Sequence, residues 1–352
     1  MPLLPFRRWP QDATDLSITR VRAMYRDGYA GCETRPEKIA AADGEFVDWI
    51  ESQGDWSRSD GESAAYANGL VGTGEGKLTV LSHYIEQIYP GSLPGPPQQR
   101  GDCVSHSNSV AALATIVGES ISGQPDEISG EVESAPEVSP DGVRAGVISS
   151  CYTYWFRGYN GDGWQCSLAA KTCANYGVML CKKYSDDLDL SNYSSSLAGK
   201  YGKRSPPSDV IDIGRQHLIR TATRVSGYGQ IRDFISNSYG ISTCGGESWS
   251  SVRDECGVSK RTRKGWSHAV GLIGVDDRDA VKRRYNTVGL CLLINSWGRW
   301  NSGSRSVMNS DLEIPAGSWW TRYEDMENRS CYALSSVRGW PPKKLPAIME
   351  NW

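Results

Sequence analysis

Apolar side chains recur along this chain in two rhythms. Val110, Leu113, Ala114 and Val117 stand at i, i+3, i+4 and i+7, the spacing of a helix with one buried stripe. That helix would carry Cys103 at its N-terminus. Helical periodicity also appears around Lys38–Ser52 and Leu78–Ile88, with the polar, glycine-rich stretch Ser57–Gly76 between them. GYNGDGWQCSLAAKTCANYGVM turns from a glycine-rich loop into a helical pattern that stops at Gly177, a C′ residue. The later runs HAVGLIGV and LCLLINS follow the other rhythm: short, apolar, flanked by polar turn residues, they predict buried strands. The intervening DDRDAVKRRYNTVG predicts a hairpin connection that places His268 and Asn295 side by side. No internal repeat is visible.

The prolines and glycines of GSLPGPPQQR forbid a regular helix or central strand, so the first hundred residues read as a region of their own. Residues 101 to 143 hold no lysine or arginine but eight acids, and their later part predicts a solvated excursion. Across 352 residues, 38 basic side chains oppose 41 acidic ones, which gives no global attraction to nucleic acid or anionic membranes. The basic runs at 260–264 and 282–284 read as solvated loops. No apolar run reaches the roughly 18 residues of a membrane span, and no leader pattern opens the sequence. The expectation is a chain in the cytoplasm or in a virus particle, with most of its ten cysteines free.

A thiol attacks as its thiolate, which a helix N-terminus favours through unpaired N–H groups and the helix dipole. Cys103 occupies such a position. Of the four histidines (83, 106, 217, 268), only His268 opens an apolar strand, from which an imidazole can project as a general base. A side-chain amide oxygen can fix that imidazole by accepting its Nδ1 proton, and Asn295 at the end of the second strand suits the role. Trp297 would cover the pair from water. His106, one helical turn after Cys103, reads as a packing or helix-surface residue.

Three segments in order, GDCVS, HAVGLIGV and INSWG, resemble the signature segments of papain-like cysteine peptidases, and of their bacteriophage and bacterial members in particular. The resemblance covers about residues 95 to 335. It implies an α+β, two-lobed fold: a helical lobe carrying Cys103 and an antiparallel β-barrel lobe carrying His268 and Asn295. Residues 1–94 become an N-terminal extension that docks partners or acts as a prosegment, and 336–352 a tail. Cys103 is then nucleophile, His268 base and Asn295 orienter, with Gly161, Gly163 and Trp164 bordering a peptide or protein substrate. The family's oxyanion glutamine lies six residues before the cysteine, where this chain has Pro97; Gln98 is the nearest replacement. The rival reading is a papain-fold structural protein, such as a virion component, that meets assembly partners through its N-terminal region.

VGTGEGKLTV lacks the first glycine and the Ser/Thr of a phosphate-binding loop and reads as a glycine turn. No C-x-x-C pair suggests zinc, and no cofactor is expected.

Overall fold

Strand β6 (His268–Asp276) and strand β7 (Leu290–Ile294) show no polar alternation because both their faces are covered: every residue in them is buried. They sit inside an antiparallel sheet flanked by β2 (Ala222–Val225), β3 (Ile241–Gly245), β10 (Ser318–Arg322) and β11 (Ser330–Leu334). The strand order is β10–β7–β6–β3–β11–β2. The computed structural model describes residues 31–33, 35–52, 69–122, 148–217, 219–301, 303–336, 339–343 and 345. The first thirty residues, the acidic stretch from 123 and most of the tail expected at 336–352 lie outside them.

The sheet is open. Its end strands β10 and β2 do not pair, so the barrel expected for this lobe does not close. Closure requires a continuous staggered ladder; here the edge strands have four and five residues, and a helix covers one face instead.

That helix belongs to a series: α1 (Pro36–Ser52), α2 (Leu81–Ile88), α3 (Cys103–Ile121), α4 (Ser150–Trp155), α5 (Cys166–Tyr176), α6 (Ser195–Tyr201), α7 (Ser208–Gly214), α8 (Gly227–Ser236) and α9 (Asp279–Tyr285). Helix α3 packs on β6 and β3, and with α4, α5 and α2 on its other sides it is buried nearly all round. The single apolar stripe expected from its periodicity understates this, because most of its polar residues are buried too, some of them with side-chain partners. Ser107 Oγ lies 2.7 Å from Ser242 Oγ, and Asn108 Nδ2 donates to the Val104 carbonyl at 2.9 Å. Close approach depends on Gly271, where a Cβ would stand 2.9 Å from Val110 Cγ1.

Residues 78–88, read from sequence as part of an N-terminal extension, join this body. Leu78–Val80 forms strand β1, paired with β6 at Asp276, Val275 and Gly274, and α2 follows it directly. The connection between β6 and β7 is helix α9 rather than the expected hairpin. Its N-cap Arg278 is extended, acidic Asp279 stands in its first turn, and Lys282, Arg283 and Arg284 crowd its last turn, where they complement the helix dipole. Two short ribbons, β4 (Trp249–Arg253) with β5 (Ser259–Arg261) and β8 (Arg305–Ser306) with β9 (Glu313–Ile314), complete the described strands. No helix among the described residues is long and apolar enough to cross a membrane.

Candidate active site

Cys103 is the first residue of α3, and its Sγ accepts the backbone N–H of Ala269 at 3.3 Å. The thiol is therefore seated against β6 one residue beyond His268. Register explains how histidine and asparagine meet. Ile294 pairs with Gly271, so Asn295 falls beside Val270, two residues along the same face from His268. Such a diagonal neighbour is reached by the far end of the imidazole: Nε2, not the expected Nδ1, lies 2.7 Å from Asn295 Oδ1. Because an amide oxygen only accepts, Nε2 carries the proton and Nδ1 is the basic nitrogen. Nδ1 has no hydrogen-bond partner among the described residues.

Trp297 stacks on His268 with ring centroids 4.5 Å apart and planes 15° from parallel. Trp266 meets the same imidazole edge-on at 5.7 Å and links it to Trp249, Trp300 and Trp319. Under this apolar cover both reacting groups are disfavoured as ions. Burial, reinforced by nearby Cys32, pushes the Cys103 thiol well above its ordinary range. Burial holds His268 down to about 3, against the opposing pull of the Asn295 bond. Cys103 and His268 are fully buried and Asn295 nearly so.

The chain's own segment 31–33 crosses beside them, with Cys32 close to the Cys103 thiol. The Cys32 N–H donates to the Ser267 carbonyl at 3.3 Å, immediately before His268, and Ser267 Oγ donates to the Cys32 carbonyl. On the opposite wall the Trp164 N–H donates to Gly31 O at 2.8 Å and the Glu33 N–H to Trp164 O at 3.0 Å, a parallel bridge. Gly31 has φ +109°, and a Cβ there would run into the Gly101 carbonyl. The strap thus runs between the two walls, beside the nucleophile's loop.

The helical wall is built from loops. Gly163 donates its N–H to Gly101 O at 2.8 Å, and Arg157 ties down the glycine loop by donating to the Gly163 and Gly161 carbonyls. Trp164 is buried. Gln98 is fully buried: its N–H donates to Ser296 O at 2.7 Å, its Oε1 accepts from Ser296 Oγ, and its Nε2 donates to Arg100 O at 2.7 Å.

Several groups here had no sequence signal. Asp102 precedes the nucleophile with a buried carboxyl that burial pushes up to about 7, although Tyr193 Oη donates to it at 2.9 Å. Its other oxygen is 3.7 Å from His106 Nε2, whose ring is buried, packed edge-on against Tyr193 and held down to about 3 by burial. Arg329 is buried behind the histidine. It donates to His268 O at 2.6 Å and Thr243 O at 3.2 Å, with Glu247 Oε2 at 3.5 Å. Cys166 and Cys244 form a disulfide between α5 and β3, and the Sγ atoms of Cys32, Cys166 and Cys244 all lie within 4.8 Å of one another. The other eight described cysteines are free. Spacing could not reveal this thiol cluster, because its members come from three distant segments.

No protein-family model matches the chain, and no curated protein matches it. Among solved structures, xylellain, a cysteine protease from Xylella fastidiosa, aligns at TM-score 0.46 and 14% identity, over 80% of this chain and 91% of that one. A procathepsin B from Trypanosoma congolense gives 0.44 and 10% over 92% and 99%. A procathepsin L 3 from Tenebrio molitor gives 0.39 and 12% over 92% and 94%.

Proposed function

We propose that this chain is a papain-like cysteine peptidase whose cleft is closed by its own residues 31–33. The observation that carries the reading is the convergence of three groups: a thiol at a helix N-terminus seated on the Ala269 amide, with His268, on the adjoining strand residue, hydrogen-bonded to Asn295. With the strap displaced, water reaches the site and the desolvation that keeps Cys103 and His268 neutral is relieved. His268 Nδ1 then takes the thiol proton, the thiolate attacks a peptide carbonyl, and the imidazolium protonates the leaving amine. A water deprotonated by the same nitrogen hydrolyses the thioester.

The strap's hydrogen bonds mark where substrate backbone would lie, across Trp164 on one wall and Ser267 on the other, with Gly161 and Gly163 bordering it. The Cys103 N–H and Gln98 Nε2 would hold the oxyanion, Gln98 exchanging the Arg100 carbonyl for it. Residues ahead of the strap would then serve as prosegment or docking region for residues 95–335. The closed site favours a second reading, a papain-fold structural protein such as a virion component, in which the strap never leaves.

Gly31→Val tests this, because neither its φ nor the Gly101 carbonyl tolerates a side chain. We expect an irreversible epoxide inhibitor to label Cys103 selectively in Gly31→Val and far more slowly in the intact chain. Adding His268→Ala should slow labelling by ~10²-fold or more, the usual weight of a general base. Labelling of Cys103 no faster than of the other free cysteines in Gly31→Val would overturn the peptidase reading.

A further inference from the structure

We propose that Cys32, Cys166 and Cys244 form a thiol–disulfide exchange site that converts the strap from a displaceable plug into a covalent one. Three thiols make at most one disulfide among themselves, so one is always left over. As observed, Cys166 and Cys244 are joined and the left-over thiol is the one on the strap. All three sulfurs are within 4.8 Å of one another, so Cys32 can reach the existing bond with small movements. The proposal rests on the cleft assignment above only in what locking would achieve.

The direction of exchange follows from the surroundings of each sulfur. Cys166 is the first residue of the eleven-residue helix α5, where unpaired N–H groups stabilise a departing thiolate. Cys244 sits within β3, without that support. The better leaving group leaves faster. The Cys32 thiolate therefore attacks Cys244 Sγ; the Cys32–Cys244 bond forms, the Cys166–Cys244 bond breaks, and Cys166 departs as thiolate. The proton lost by Cys32 ends on Cys166 through solvent, and no external oxidant is consumed. The strap is then tied to the strand that pairs with β6 at His268.

The reverse step frees it. Burial pushes the Cys32 thiol up to about 12, with Arg329 opposing, so the closed, neutral-pH chain exchanges slowly and a partly opened or alkaline one faster. A redox buffer that reduces both bonds leaves the strap held by hydrogen bonds alone.

The test uses the full chain, equilibrated in a mixed reduced and oxidised glutathione buffer at mildly alkaline pH, acid-quenched and mapped by non-reducing digestion and mass spectrometry. Wild type should yield both Cys166–Cys244 and Cys32–Cys244 peptides. Cys166→Ser should yield Cys32–Cys244 alone, and Cys32→Ser only Cys166–Cys244; melting temperatures report whether each variant is folded. In the Gly31→Val background, Cys103 labelling should be slower in Cys166→Ser than in Cys32→Ser and should recover on reduction. A Cys32 that stays fully alkylatable in both wild type and folded Cys166→Ser overturns the exchange site. A Cys32–Cys244 bridge that leaves Cys103 labelling unchanged overturns the lock. Stoichiometric zinc uptake by the reduced chain, protecting all three thiols from alkylation, overturns it in favour of a metal site. If Cys103 labels in no variant, the peptidase reading fails, and the disulfide map alone still decides whether exchange occurs.

Discussion

Each wall of the site contains a buried arginine that clamps backbone carbonyls, and the two are stabilised by opposite means. On the sheet wall, Arg329 donates to His268 O and Thr243 O beside the buried carboxylate of Glu247. On the helical wall, Arg157 holds the Gly161, Gly163 and Tyr159 carbonyls, lies 4.6 and 4.1 Å from the ring centroids of Tyr154 and Tyr159, and among the described residues pairs with no carboxylate. A strand is already fixed by its ladder, so Arg329 neutralises an acid and fastens the point where β6 starts. A glycine loop has no ladder, and Arg157 with its tyrosines replaces one. The lesson is that the base's wall is rigid by topology, whereas the strap and any substrate would lie against a wall rigid by side chains.

The largest effect follows from breaking the ion pair. Arg329→Met removes one partner and leaves Glu247 buried, with, among the described residues, the half-exposed Arg261 at 4.0 Å as its remaining cation. Loss of one member of a buried pair costs ~3–5 kcal/mol, read as a fall in the denaturation midpoint at unchanged m-value. Adding Glu247→Gln should return part of that loss; no recovery would mean that the carbonyl contacts, not the pair, dominate. Arg157→Met should cost less, about 1–3 kcal/mol, because it strands carbonyls but no opposing charge. Its distinguishing sign is local: amide exchange at Gly161, Gly163 and Trp164 should rise ahead of exchange in β6. Equal loosening of both walls would erase the contrast.

How much of this the chain announced divides along the same line. Strands β6 and β7, the helix beginning at Cys103 and the stop at Gly177 were legible, because periodicity and glycine chemistry act over a few residues. Helix α9 is not legible where a hairpin is expected: DAVKRRY is too short and too charged to show an apolar stripe, and its dipole complement is visible only once its ends are known. The identity of the bonding imidazole nitrogen depends on a register that sequence does not state. Arg329, the thiol cluster and the strap were invisible for a common reason: each acts on segments far away in the chain. Nothing in Gly31-Cys32-Glu33 itself marks the residues it lies between. Gln98 was placed by counting, and its observed bonds to Ser296 and Arg100 show how it is held in the closed site.

The smallest effect is in the dependence of stability on pH. His268 and His106 are held down to about 3 by burial, so each contributes stability that is complete above the unfolded value near 6.5 and is lost as pH falls toward 3. Asp102, pushed up to about 7, contributes in the opposite sense: its stability is complete below an unfolded value near 3.8 and is lost as pH rises toward 7. Between about pH 4.5 and 6 the helical wall's histidine and aspartate therefore oppose each other, while the sheet wall's histidine acts alone. A single such group changes stability by about 1.4 kcal/mol per pH unit. Other carboxylates add a background common to all variants, so the differences between variants carry the test. His268→Gln should remove about one such slope from wild type, and Asp102→Asn should add about one. Both slopes come from chemical denaturation repeated across that window. If Asp102→Asn leaves the slope unchanged, Asp102 is already ionised in the folded chain, and the helical wall carries a buried negative charge next to its nucleophile.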